Sequence, residues 1–394
     1  MSTDTLTSRA LLTDEMLARF DERAPIYDRE NRFFTEDFEE LRDSGYLLAP
    51  IPEELGGNGV RLDEYLQLQQ RLAYYAGPTA LAVNMHCYWM GLAADLLRSG
   101  DDTCRWMLEK GAAGEIFAAI HGEAGNDIPA MLSTTNAERG DGGWIITGHK
   151  IFGSLSPVWT YAGFHAMDTA DPANPKIVHG FVPRNTKGVE IVETWDTLGM
   201  RATQSHDTIL ERVFVPDELC PVVTVPGFAG ATPFLLNIFA WALLGFASVY
   251  LGMARRAFDL TCARVPQRSS IALTRSMAYH PEVQHSVAEM RIQLDAAQAL
   301  LDRVSSDWAE GVEHADWPVR IVGARYFVIE QAFDVVDKAM DLSGGAASFK
   351  RNRLEQIFRD ARMGKFHPGN SLLAHEVIGK LCLGIDPDDA LRWG

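Results

Sequence analysis

The hydrophobic period of this chain changes twice, and that change limits its fold more than any other feature. Over 14–30 and 35–44, apolar residues recur at three- and four-residue spacing, as on a helix with one buried face. Pro50-Ile51-Pro52-Glu53-Glu54-Leu55-Gly56-Gly57-Asn58-Gly59 is a turn-rich break, after which helix is predicted over 62–75 and 80–99. From 119 the pattern shortens. The runs 144–148, 177–182 and 213–215 are rich in β-branched and aromatic residues, with Gly, Pro, Asn and Asp between them. After Val225-Pro226-Gly227 helix returns, with segments predicted over 233–263, 281–309, 317–342 and 353–365. The expected organisation is an N-terminal helical domain (1–118), a central β-barrel or sandwich domain (119–228) and a C-terminal helical bundle (229–394). Helices, strands and helices in that order make an α+β chain with segregated layers, not an alternating parallel sheet. No GxGxxG follows a strand, so a Rossmann site is not supported.

Charge narrows the possible partners. A formal net charge of −17 argues against non-specific nucleic-acid or anionic-membrane binding, which needs basic surface. The most apolar stretch, 233–254, contains Asn237, Trp241, Ser248 and Tyr250 and is followed by Arg255-Arg256. It reads as a buried core helix, not a membrane span. The five cysteines are scattered with no CxxC pair, so structural zinc is not expected and a reducing cytoplasm is. The N-terminus shows no secretory signal.

Four separated strings carry the chemistry. The first is the Gly-rich turn at 52–59. The second joins Gly122-Glu123-Ala124-Gly125-Asn126-Asp127 to Gly148-His149-Lys150-Ile151-Phe152-Gly153-Ser154. The third is Thr197-Leu198-Gly199-Met200-Arg201-Ala202-Thr203-Gln204-Ser205. The fourth is Arg359-Asp360-Ala361-Arg362, with Gly344-Gly345 before it and His367-Pro368 after it. Taken together, these strings resemble the acyl-CoA dehydrogenase superfamily of flavoproteins over most of the chain. The resemblance implies FAD, with FMN as the alternative. Phe152 takes the place that shields the flavin, and Ser154 the place of a hydroxyl donor at N5. Gly125 and Asn126 fall in the flavin loop, with Asn126 replacing the usual Ser. Gln284, Gly344 and Gly345 fall on positions that the resemblance implies bind the cofactor. The Arg-x-x-Phe-Gly element that precedes Gln284 in relatives does not match here; Arg275 is out of register. The family's Thr donor falls on Ile120. Arg201 and His121 are candidate substrate contacts. A homotetramer or homodimer is implied, with an electron-transfer flavoprotein or a flavin reductase as redox partner.

The reaction cannot be carried over whole. Acyl thioester dehydrogenation needs a base at the α-carbon. The family's usual Glu position holds Pro368, and the alternative position aligns with Ala242. The residue left is His367, eight after Arg359. That spacing resembles the two-component flavin monooxygenases of the same fold, which place a His beside the flavin C4a. The bland alternative for His367 is a cation at a helix C-terminus. Superfamily frequency puts acyl-CoA dehydrogenase-type oxidation first, a monooxygenase using reduced flavin and O2 second, and a non-catalytic flavin-binding role third. The Met85-His86-Cys87-Tyr88-Trp89-Met90 stripe reads as core first and as substrate channel second.

Overall fold

In the computed structural model, residues 11–228 and 231–389 are described. Five helices come first: α1 (Asp14–Glu30), α2 (Thr35–Asp43), α3 (Leu62–Tyr75), α4 (Gly77–Arg98) and α5 (Arg105–Ala112). Thr13 caps α1 by accepting from the Met16 N–H, and Asn31 ends it in the left-handed conformation. The stretch expected as a helix over 80–99 is α4, buried along almost its whole length.

Eight strands follow: β1 (Phe117–Ala119), β2 (Asn136–Gly140), β3 (Gly143–Gly153), β4 (Tyr161–Asp168), β5 (Lys176–Pro183), β6 (Val189–Val192), β7 (His206–Pro216) and β8 (Val222–Thr224). They form one mixed sheet in the order β6-β7-β3-β2-β4-β5-β8, with β1 parallel to β4. The register breaks between Lys150 and Gly153, where β3 turns away from β7. That irregularity lies at the C-terminal end of β3, which carries Phe152, with Ser154 just past it.

The C-terminal layer holds α6 (Pro233–Ile238), α7 (Leu244–Arg264), α8 (Pro281–Ala309), α9 (Trp317–Ser343), α10 (Arg353–Met363) and α11 (Ser371–Leu383). A single π turn, Phe239–Leu243, joins α6 to α7 without ending the helix. This 233–267 run is apolar and long enough to cross a membrane, but 89% of its most apolar window is buried inside the fold. Its Trp241 packs against Tyr65 of α3, and its Gly245 lies against the Asn84 side chain of α4. It is the spine on which the two helical layers meet.

Two of the sequence strings dock on each other. Gly199 sits so close to the Arg359 carbonyl that a Cβ would lie 2.3 Å from its oxygen. The buried Asp360 carboxylate accepts from the Met200 N–H at 2.5 Å, and Arg359 pairs with Asp28 at 2.6 Å. The third and fourth strings are thus one joint between the sheet and the C-terminal helices.

Candidate active site

A cleft opens where this joint, the end of β3 and the π turn converge. Its empty space, counted out to the open mouth and so including bulk solvent, is about 1040 Å³. From the sheet come His121, Gly122, Phe152 and Ser154; from the joint, Trp195, Met200, Thr203 and Ser205. The π turn supplies Phe239, Ala242 and Leu243, and the segment after α10 supplies Phe366, His367 and Pro368. A π turn aims side chains that a regular helix would rotate away.

Phe152 is the most unusual of these. It is 52% exposed, its backbone is left-handed (φ 58°), and its ring stands edge-on to Trp195 at 5.8 Å. A bulky residue at positive φ costs on the order of 1–3 kcal/mol and persists only where the surroundings enforce it. An aromatic face held open on a strained turn suits a planar ring ligand. Ser154, next along, lies 2.7 Å from the Ser205 hydroxyl. These residues fit an isoalloxazine: Phe152 and Trp195 for its face, Ser154 for a polar edge, and Leu81, Met85 and Tyr88 for the apolar remainder. Bound flavin would supply two-electron redox chemistry that no side chain here can perform.

His367 is not a helix-end cation. It follows a short 3-10 turn, Gly364–Phe366, and its ring stacks on Phe246 with centroids 4.5 Å apart. Its Nε2 is 2.8 Å from the buried Tyr250 hydroxyl. Burial and the nearby Arg325 pull its pKa down to about 3, so the imidazole is neutral at neutral pH. Arg325, itself 1% exposed, donates to the carbonyls of Gly364 (3.0 Å), His367 (2.8 Å) and Gly369 (2.8 Å) and so fixes the loop that carries His367.

His121 reaches the cleft from a second buried network. Its Nδ1 lies 2.9 Å from His165 Nδ1, and the two rings are stacked. His165 Nε2 is 2.9 Å from the Leu132 carbonyl and 3.6 Å from Glu123. Glu123 pairs with Lys150 at 2.6 Å, both side chains fully buried, and also accepts from Ser133, Thr134, Thr135 and Asn126. Burial alone would raise the Glu123 carboxyl; the His165 contact and the Lys150 ammonium instead hold it well below the usual carboxylate range. Burial lowers Lys150 to about 8. Burial, with the Lys150 charge adding to it, takes His165 down to about 4.

Other expected site residues lie elsewhere. Gly125 and Asn126 are not on the cleft wall; the Asn126 amide instead braces Glu123 and the Leu132 carbonyl. Arg201, expected to touch substrate, is a structural tie: its guanidinium donates to the Asp28 and Thr197 carbonyls and to Asp196. Gln284 donates to the Ala278 carbonyl at the start of α8, and Gly344-Gly345 end α9 beside Arg268. None of these three lines the cleft. Of the 85–90 stripe, Met85 and Tyr88 line it, whereas His86 is spent internally on the Leu47 carbonyl and the Phe117 N–H. Arg325, Tyr250, His165 and Trp195 escaped the sequence reading.

Models of the acyl-CoA dehydrogenase N-terminal, middle and C-terminal domains match residues 7–115, 118–213 and 244–371. A Bacillus subtilis chain named as an acyl-CoA dehydrogenase, YdbM, is 29% identical over 89% of this chain and 90% of its own length. L-evernosamine nitrososynthase of a Micromonospora strain is 28% identical over 95% of this chain and 89% of its own. The crystal structure of the nitrososynthase from Micromonospora carbonacea var. africana superposes with a TM-score of 0.83 at 24% identity, covering 98% of both chains. Three consecutive domain matches, on a fold whose joint and cleft are built from the same strings, place this chain in the acyl-CoA dehydrogenase superfamily of flavoenzymes.

Proposed function

We propose that the chain is a flavin-dependent monooxygenase, taking reduced flavin from a separate reductase and using O2 to oxidise a small, electron-rich substrate. One observation carries this reading. Pro368 and Ala242, the two positions where relatives hold a catalytic carboxylate, both line the cleft, and no carboxylate does among the described lining residues. The titratable side chains on the described wall are His121, His367 and Tyr88; burial holds both imidazoles neutral and pushes the Tyr88 hydroxyl well above its ordinary value, so none is a base matched to dehydrogenation. A base whose conjugate acid has a pKa of about 3 is mismatched to removing a proton α to a thioester. A neutral imidazole is suited to donate or accept one hydrogen bond at an oxygen without adding charge. Identity to a nitrososynthase matches identity to a dehydrogenase, so overall likeness does not choose between them. An amine is the substrate class to try first, on the nitrososynthase likeness.

On this reading His367 meets the reacting oxygen, Tyr250 and Phe246 orient its ring, and Arg325 fixes its backbone. The apolar wall excludes water. The chain is loaded with flavin and divided between two assays, one portion reduced and then given O2 with amine, the other kept oxidised and anaerobic. Oxygen uptake coupled to an oxygenated amine product is expected, with no anaerobic bleaching of oxidised flavin by a panel of acyl-CoA esters. Bleaching by any acyl-CoA would overturn the proposal in favour of dehydrogenation.

A further inference from the structure

Three hydroxyls form a chain in the cleft wall. Ser154 Oγ is 2.7 Å from Ser205 Oγ, and Ser205 Oγ is 2.7 Å from Thr203 Oγ1. Thr203 Oγ1 ends the chain 2.8 Å from the Met200 carbonyl oxygen. All three side chains are buried, and all three line the cleft.

Each hydroxyl has one hydrogen to give, and a carbonyl can only accept. The Thr203 hydrogen is therefore directed at Met200. Ser205 must then donate to Thr203, and Ser154 to Ser205. The opposite order would set the Thr203 and Met200 oxygens lone pair against lone pair at 2.8 Å and lose one of the three bonds. In the favoured order the Ser154 hydrogen is committed, and Ser154 offers the cleft a lone pair. That order would turn Ser154, expected from the sequence as a donor, into an acceptor towards the cleft.

We propose that Thr203 and Ser205 are positioning residues that fix Ser154 as an acceptor, so that the cleft selects reduced over oxidised flavin. Reduced flavin carries a hydrogen on N5; oxidised flavin presents a bare N5 lone pair. The first completes the chain. The second meets Ser154 acceptor to acceptor, or forces the chain to reverse and lose its bond to Met200. One hydrogen bond gained or lost corresponds to a preference on the order of tenfold. Tighter binding of the reduced form also raises the midpoint potential of bound flavin above that of free flavin. The inference rests on the cleft being a flavin site with N5 at Ser154, the place that the family resemblance implies, but not on oxygen chemistry.

The test is an anaerobic titration of the full chain with FMN and with FAD, each oxidised and dithionite-reduced, followed by equilibrium dialysis. The wild type is expected to bind the reduced form about tenfold tighter. Thr203→Val removes the anchor, and Ser205→Ala removes the middle link. Both should bring the ratio of the two dissociation constants close to one, whereas Thr203→Ser should keep it. An unchanged ratio in both disrupting variants, with native circular dichroism, overturns the proposal, as does tighter wild-type binding of the oxidised form. Should Thr203→Val fail to fold, Ser154→Ala decides. It should weaken the reduced form alone, and weakening of the oxidised form instead overturns the idea. Binding of neither form removes both this inference and the flavin reading. The expected ratio without oxygen-dependent turnover would remove only the monooxygenase.

Discussion

His367 and His121 line the same cleft, both as neutral imidazoles, but they are held by opposite means. His367 sits on a loop whose carbonyls are gathered by one buried cation, Arg325, and among the described residues its ring has a single polar partner, the Tyr250 hydroxyl. His121 sits on the sheet and ends a chain of charged and polar groups running through His165 to the Glu123–Lys150 pair. In the first case a charge organises the backbone and acts on the ring only through its field, with no hydrogen bond to it. In the second, a paired charge reaches the ring through another ring. The difference teaches where each site is vulnerable: the first should break as a loop, the second as a core.

The sheet side should break hardest. Glu123→Gln leaves the Lys150 ammonium buried without its counter-charge. Removing one partner of a buried pair costs about 3–5 kcal/mol. Urea denaturation at pH 7 should show a loss of that size, and the double variant Glu123→Gln, Lys150→Met should recover much of it. A loss under 1 kcal/mol would mean that the two charges are screened and that the network does not run as drawn.

On the loop side, Arg325→Met should orphan the carbonyls of Gly364, His367 and Gly369. Each unmet buried acceptor costs about 1–3 kcal/mol, partly relieved because a loop can turn its carbonyls to water. A smaller stability loss than for Glu123→Gln is expected, together with a larger functional one. If His367 meets the reacting oxygen, both Arg325→Met and His367→Ala should release hydrogen peroxide in place of product while oxygen uptake continues. Equal coupling in wild type and His367→Ala would remove His367 from the chemistry.

Acid should reveal all the buried rings together. His86, His121, His165, His179, His206 and His367 have folded pKa values below the ordinary 6.5, each chiefly through burial. Below pH 6.5 the unfolded chain takes up protons that the folded chain refuses. Stability therefore rises with pH through this window and falls as the pH drops from 6.5 towards 4. Each such ring contributes up to about 1.4 kcal/mol per pH unit at the steepest point. His367→Phe should flatten the slope by one ring's share. Asp37 and Asp360, which burial raises to about 7, work in the opposite sense and offset part of the slope, so an unchanged slope in His367→Phe is the result that would mean this ring is solvated.

Much of the fold was legible. Segments 14–30, 62–75 and 281–309 match helix bounds, because their apolar period is regular and Thr13 or Pro281 marks the start. The cleft was legible at Phe152, Ser154, His121 and His367, all of which line it. The networks behind these residues were not. Lys150 and Glu123 are 27 residues apart, and Arg325 reaches carbonyls 39 to 44 residues on, so no local pattern joins them. One signal was available. Lys150 falls in the same two-residue register as the buried Trp144 and Ile146, and a lysine at an inward position needs a buried partner. Arg201 misled for the converse reason. Its motif is specific, but what the motif builds is a joint.

The smallest effect tests the far end of the sheet-side network. His179 lies opposite His165 in the β4–β5 register, fully buried, with its ring against Phe234. Among the described residues neither of its nitrogens has a hydrogen-bond partner, unlike those linking His121 to His165. A buried donor and acceptor left unmet are a cost that an apolar ring of similar shape would not carry. His179→Phe should therefore stabilise the protein by about 1 kcal/mol at pH 7, less any strain from the larger ring. The gain should widen on acidification, since one refused proton is removed. Measured as a urea midpoint at pH 7 and pH 5, a gain at both values would make His179 a bystander to the Glu123–His165–His121 chain. A loss at pH 7 would instead make it a member of that chain, and the sheet side would then hold its ring with three histidines where the loop side uses one arginine.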